Sequence, residues 1–210
     1  MKRIEHKDEV LRKVMEASER LFKEQGYQKT SIRQITAASG IRIGTLYHFF
    51  KDKEDIFRHI IYAFMKEILE QVSELSQGDD PWLEFTLENY LHLQAIQKHE
   101  KIAELYVVAH SSEALSKELL EERQRRDMEL LGKILPHLNE EDFRIRTFML
   151  SGYFQTFAQE VGNSRLEAEE SQIFKVLEIF LSIYNLHKEK IRELMINFEQ
   201  IISKIPKKQS

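Results

Sequence analysis

Apolar residues recur along this chain at intervals of three and four, almost without a gap, and that spacing predicts helices from end to end. Val10, Val14, Ala17 and Leu21, with Leu11 and Phe22 beside them, form the stripe of a first helix that Gly26 brings to a stop. Ser31 followed by Gln34 has the spacing of a capping box, in which each side chain satisfies a backbone N–H, so a second helix should begin there. Ile32 and Ile35 give it an inward face, Ala37 and Ala38 keep it slim where another helix crosses, and Gly40 supplies a turn at positive φ. A third helix follows at once, with Ile41 and Leu46 turned to the same small core.

Asp52 is placed to cap a fourth helix whose stripe, Ile56, Phe57, Ile60, Ile61, Phe64, Ile68, Val72 and Leu75, is too long for the N-terminal unit alone. It should run from that unit into the rest of the chain, and Gln77-Gly78-Asp79-Asp80-Pro81 ends it. Further helices are expected over residues 81–97, 99–110, 114–135, 140–161, 168–187 and a last one to about 204, with Pro136 closing the third of these and Asn139 starting the next. The stretch 140–161 carries Phe143, Phe148, Tyr153, Phe154 and Phe157, and 168–187 repeats the theme. Apolar residues cover so much of both circumferences that one core face cannot hold them, which predicts a surplus face and an interface. The final stripe, Ile191, Leu194, Met195, Phe198, Ile201, Ile202 and Ile205, must pack on its own body or on a partner, and the pattern does not choose.

Composition narrows the class. Only 7 glycines and 3 prolines punctuate 210 residues that are 42% hydrophobic and 31% charged, which suits long amphipathic helices and argues for an all-α chain. With no cysteine, disulfides and thiolate metal sites are excluded. The opening MKRIEHKDEV is charged throughout, and no run approaches the roughly 18 apolar residues of a membrane span, so no membrane partner and a cytoplasmic location are expected. The net charge of −4 is unevenly spread: residues 1–53 hold 12 Lys or Arg against 7 Asp or Glu, and residues 54–210 hold 19 against 28. A basic head on an acidic body would orient the molecule toward a polyanion.

The two short helices at residues 31–49 make a helix-turn-helix, with Arg42, Ile43, Gly44, Thr45, Tyr47 and His48 on outward or flanking positions of the second. Such a face offers a guanidinium for guanine edges or phosphate, methyl groups for thymine and hydroxyls for phosphate oxygens. From EQGYQKTSIRQITAASGI through GTLYHFFKDKEDIF the sequence resembles the TetR family of bacterial transcriptional regulators, a match covering roughly the first quarter of the chain. The resemblance implies phosphate contacts from Thr30 or Ser31, Tyr47 and Lys53, and groove contacts from Arg42, Gly44 and Thr45; Arg33, His48 and Lys51 complete the candidate DNA-binding set. It also implies a DNA-binding domain at 1–53, an effector and dimerisation domain at 54–210, and a homodimer on a near-palindromic double-stranded operator.

In such a dimer the helices at 140–161 and 168–187 would meet their symmetry mates through Phe148, Phe154, Phe174, Leu177, Phe180, Leu181 and Tyr184. The resemblance places a small-molecule pocket in the body, for which Phe64, Trp82, Phe85, Tyr90, Tyr106, His110, Tyr153 and Phe157 are the candidates; aromatic walls with a few polar tips suit a flat or long apolar effector. Repression is the commoner mode in the family. Glu88 and His92 are four apart and His92 and His99 seven apart, but no second carboxylate–histidine pair supports a di-metal bundle, and solvent-facing polar residues account for them. No G-x-S-x-G, H-E-x-x-H or phosphate-cradling glycine loop is present, so neither an enzyme nor a cofactor is expected. The competing readings are a helical enzyme or metal-binding bundle using its helix-turn-helix for protein contacts, and a constitutive DNA binder with a filled core.

Overall fold

In a computed structural model, which describes residues 2–78, 80–166 and 169–205, ten helices follow one another: α1 (Lys2–Gln25), α2 (Ile32–Ser39), α3 (Ile43–Phe49), α4 (Lys53–Ser76), α5 (Pro81–Lys98), α6 (Glu100–Ser111), α7 (Glu113–Leu131), α8 (Glu140–Gly162), α9 (Glu170–Ile183) and α10 (Lys188–Ile202). Among the described residues there is no strand, and no helix is long and apolar enough to cross a membrane. Asp79 and the expected helix start at 168 lie outside the described residues.

Local chemistry explains most boundaries. The Ser31–Gln34 capping box opens α2, and Gly40 at φ 68° closes it. Asp52 accepts from Asp55 N to cap α4, and Asp80 accepts from Trp82 N in front of Pro81 at the start of α5. A second capping box, Asn139 with Asp142, opens α8. Two ends fall short of expectation: α7 stops at Leu131 rather than 135, and α9 stops at Ile183 because Asn185 takes a left-handed φ of 60°.

Two cores result. The N-terminal one gathers Val10, Val14 and Phe22 of α1, Ile35 of α2, Leu46 of α3, and Ile56, Phe57, Ile60 and Ile61 of α4. It does not close at residue 53, because Leu105 and Ala109 of α6 and Leu115 of α7 belong to the same cluster. Ala37 and Ala38 are exposed, so the slimness expected of them is not used in a helix crossing.

The second core is built around α5, which is buried on nearly every side from Trp82 to Ile96, as a helix at the centre of a bundle must be. The helices α4, α6, α7, α8, α9 and α10 surround it. The last helix docks on α5 and α9 of its own body, burying Ile191, Leu194, Met195 and Phe198. The structure thereby decides what the stripe alone left open.

Candidate nucleic-acid interface and effector cavity

The second helix of the helix-turn-helix presents two faces of opposite character. Leu46 is fully buried, whereas Ile43 and Tyr47 are 49% and 52% exposed, with Arg42, Gly44 and His48 exposed around them and Thr45 half-buried. A Cβ built on Gly44 would meet open space, so nothing inside the fold requires a glycine there; its smallness leaves room only for something arriving from outside. Ser31, Arg33 and Lys51 are exposed on the flanks.

Two predicted contacts are placed differently. Thr30 is 2% exposed and its hydroxyl donates to the Gly26 carbonyl at 2.8 Å, so it holds the turn after α1 and is not on the surface a phosphate would reach. Lys53 reaches back across that turn: Nζ donates to the carbonyls of Tyr27 and Thr30, each at 2.9 Å, and lies 4.0 Å from the Tyr27 ring centroid. Partial burial lowers its pKa from the ordinary lysine value. One of its three donors remains for a phosphate.

Within the body, a cavity of about 80 Å³ lies among α4, α5, α6, α7 and α8, walled by Ile61, Phe64, Met65, Tyr106, Ala109, Leu119, Leu120 and Phe154. Its polar groups are Glu88, His92, His110, Arg123 and Ser151. His92 pairs through Nδ1 with the Tyr106 hydroxyl, and burial, with the Arg123 charge, lowers its pKa to about 3, so the ring is neutral. His110 Nδ1 donates to the Tyr106 carbonyl at 2.8 Å, which leaves Nε2 as an acceptor in the neutral ring. Burial would pull the Arg123 pKa down, but the Asp127 and Glu88 charges outweigh it and hold the guanidinium charged. A larger groove of about 650 Å³ between the end of α4 and α10 is lined by Leu75, Leu83 and Ile201 together with Gln71, Glu74, Asn197 and Lys204, and has no aromatic wall.

Of the predicted effector residues, Phe64, Tyr106 and His110 line the cavity. Trp82, Phe85 and Tyr90 do not; because α5 is central they are core, Trp82 and Phe85 against the Tyr184 ring and Tyr90 against Phe198. Tyr153 stacks on Phe157 at 5.7 Å, away from the cavity lining. Glu88 and His92 are 5% and 9% exposed, so they do not face solvent as expected. The signal that could have placed them is the run WLEFTLENYLHLQAI, apolar on every face, in which any polar side chain must be inside and partnered. The sequence pattern does not single out Arg123, Glu88 or Ser151 for the pocket.

The predicted dimer surface is similarly redistributed. Phe154, Leu177, Phe180, Leu181 and Tyr184 are between 0% and 5% exposed within one subunit, and Phe174 packs on Phe198. They are core rather than interface residues. What α8 and α9 turn outward is Phe148, at 50% exposure, with Ile145, Met149 and Ile179 at 49%, 54% and 57%.

The cavity and the head share two helices. Glu104 Oε1, at the start of α6, accepts from Tyr27 N at 3.1 Å, and Ser112 after its end donates to Glu54 of α4 at 2.7 Å. Arg58 of α4 pairs with Glu118 of α7 at 3.0 Å. Tyr106, Ala109 and His110 lie between the two α6 anchors, while Ile61, Phe64 and Met65 follow the α4 anchors.

Residues 14–60 match the family model for bacterial regulatory proteins of the tetR family. A biofilm operon negative transcriptional regulator, IcaR of Staphylococcus epidermidis, is 25% identical over 182 residues, spanning 80% of this chain and 97% of its own. An HTH-type transcriptional regulator of Bacillus subtilis, YfiR, is 30% identical over 78 residues, covering 37% of this chain and 38% of that protein. Among solved structures, a TetR-family transcriptional regulator from Syntrophomonas wolfei superposes with a TM-score of 0.64 at 26% identity, covering 86% of this chain and 97% of the other. FadR of Bacillus subtilis, solved with stearoyl-CoA, shares the fold at a TM-score of 0.62 and 20% identity, over 83% of this chain and 98% of its own.

Proposed function

We propose that this chain, whose residues 14–60 match the tetR-family model, is a transcriptional regulator of that family, that it represses transcription as a homodimer and that it leaves its operator when a small molecule fills the body cavity. The observation that carries the reading is the face of α3. An isoleucine and a tyrosine, each about half exposed, stand beside Arg42 and a glycine with open space over it, on a helix whose other side is anchored by a fully buried leucine. A fold has no use for that outward chemistry; a major groove does. Arg42, Gly44 and Thr45 would meet base edges or the groove wall, with Ser31, Arg33, Tyr47, His48, Lys51 and the third Lys53 donor on phosphates. Repression follows the similarity to IcaR, named a negative regulator, across nearly its whole length.

Residues 1–53 would form the DNA-binding part and 54–210 the effector and dimer part, with α4 passing between the two cores: Ile56, Phe57, Ile60 and Ile61 pack in the first, Ile68 and Val72 in the second. Dimerisation is supported by the row Ile145, Phe148, Met149 and Ile179, an apolar surface that a two-fold partner would cover with its own copy. Both recognition helices must then sit about 34–36 Å apart, or a multiple of that, to enter successive major grooves. Entry of a ligand would part α4 from α6 and move the head through Glu104–Tyr27 and Ser112–Glu54. About tenfold weaker operator binding requires about 1.4 kcal/mol of preference for the shifted arrangement.

The test is selection from random duplexes by the purified chain, followed by affinity measurements across salt. A near-palindromic motif and a steep fall of log Kobs with log salt are expected, because each neutralised phosphate releases counterions. A protein showing no sequence preference would end the reading.

A further inference from the structure

The charges around the cavity are already paired among themselves. Arg123 Nε donates to Asp127 Oδ1 at 3.1 Å and Nη2 to Asn89 Oδ1 at 2.7 Å, while Arg126 reaches Glu88 Oε2 at 3.4 Å and Glu84 Oε2 at 3.2 Å. Two guanidinium groups thus face three carboxylates, and the inner charge is zero or one negative according to the proton on Asp127. Arg123 Nη1 lies 4.0 Å from Glu88 Oε1, too far for a hydrogen bond, so it is the donor left for a guest.

An incoming anion would find no unpaired cation and would face Glu88. An incoming cation would sit beside two guanidinium groups that already share that carboxylate. An anion would lose its hydration to a site whose inner charge is never positive, and a cation would meet at most one net negative charge, on Asp127, which is off the cavity lining and already held by Arg123. His92 cannot protonate to help an anion, since burial and the neighbouring Arg123 keep it neutral far below pH 7. Size adds a second limit: a dry cavity of about 150 Å³ takes a benzene, and this one is about 80 Å³. One ring enters only as Met65, an adaptable side chain, and its neighbours give way.

We infer that the cavity takes an uncharged compound of at most one ring, bearing a hydroxyl or carbonyl oxygen that accepts from Arg123 Nη1, with the ring against Phe64, Tyr106 and Phe154. The inference rests on reading this cavity as the effector site. It excludes carboxylates and organic cations as occupants of this cavity. Because the ring exceeds the resting volume, its entry separates α4 from α6, which is the displacement the head would feel.

Three probes of one shape and three charges decide it: benzyl alcohol, benzoate and benzylammonium, titrated into the full-length protein at pH 7 with ligand-observed NMR. Benzyl alcohol should bind tighter than either ion by about tenfold or more. That binding should vanish in Ala109→Leu, which fills the cavity from α6, and in Ser151→Leu, which fills it from α8 and serves if the first variant does not fold. Benzoate binding tightest would overturn the inference by showing an uncompensated Arg123; benzylammonium tightest would do so by showing an uncompensated Glu88. Binding that survives both fillings, or no binding of any probe, overturns it too. These failures leave the regulator reading standing where the protein still selects a DNA motif, whereas loss of DNA selection with alcohol binding intact defeats the regulator reading alone.

Discussion

Replacing Lys53 by methionine keeps the apolar stem and removes the ammonium, and the structure assigns that ammonium a tether between α4 and the turn after α1. The loss comprises two charged hydrogen bonds at 2.9 Å to the Tyr27 and Thr30 carbonyls and a ring contact at 4.0 Å. Hydrogen bonds to charged groups contribute about 1.5–3 kcal/mol each when well shielded, and an exposed cation–π contact about 0.5–1 kcal/mol. Lys53 is only partly buried, and water replaces some of what is lost, so about 2 kcal/mol in all is the expected cost. For a chain of this length 1 kcal/mol moves the melting midpoint by about 2–4 °C, so Lys53→Met should lower it by about 4–8 °C in circular dichroism at 222 nm without DNA. A midpoint unchanged to within about one degree would refute the tether. On DNA, the same variant separates the two roles of the residue: the slope of log Kobs against log salt falls by about one if the third donor also holds a phosphate, and stays put if Lys53 acts only within the head.

Arg42→Ala should relax preference at one base-pair position of the selected motif; an equal loss on all sequences would assign the guanidinium to phosphate. Phe148→Asp, placing charge on the outward face of α8, should convert a dimer to monomers in sedimentation velocity, with the far-ultraviolet spectrum kept; an intact dimer would move the interface elsewhere. Acid should destabilise the protein through His92: the folded ring stays neutral down to about 3 while the unfolded one protonates at its ordinary 6.5, so the unfolded chain gains a proton and stability falls as pH drops below 6.5. His92→Gln should remove about 1.5 kcal/mol of the loss between about pH 6.5 and about pH 5, measured by urea unfolding of variant and parent. Asp127, raised to about 6 by burial and by Glu88, acts with the opposite sign: the folded chain holds its proton up to that value, so its contribution declines as pH rises from about 4 to 6. It is common to both proteins and cancels in the comparison.

Helix starts and stops were legible in the sequence because their causes are local. The reciprocal bonds of Ser31 and Gln34, the caps at Asp52, Asp80 and Asn139, and the left-handed turn at Gly40 all lie within a few residues of the backbone groups they satisfy. The helix-turn-helix and its outward residues follow from the same short-range spacing, and so did the family resemblance. What the spacing could not decide is which side of a helix meets what. On α8 and α9 aromatic and aliphatic residues surround the axis, and only packing sends Phe154, Phe180 and Tyr184 inward while leaving Phe148 and Met149 outside. Likewise the periodicity of α10 requires a partner surface without naming it, and the tertiary structure supplies α5 and α9.

The polar interior shows the same division. Glu88 and His92 read as solvated because charge ordinarily keeps its water; the central position of α5 removes that water, and Arg126 for Glu88 and Tyr106 for His92, 38 and 14 residues away, replace it. Sequence alone determined that the chain is a string of capped helices with a helix-turn-helix near its start. The cavity, its neutralised charges and its link to the head exist only once distant helices meet, since the bond that Arg123 donates to Asn89 and the one that Glu104 accepts from Tyr27 N depend on distances across space that no local pattern encodes.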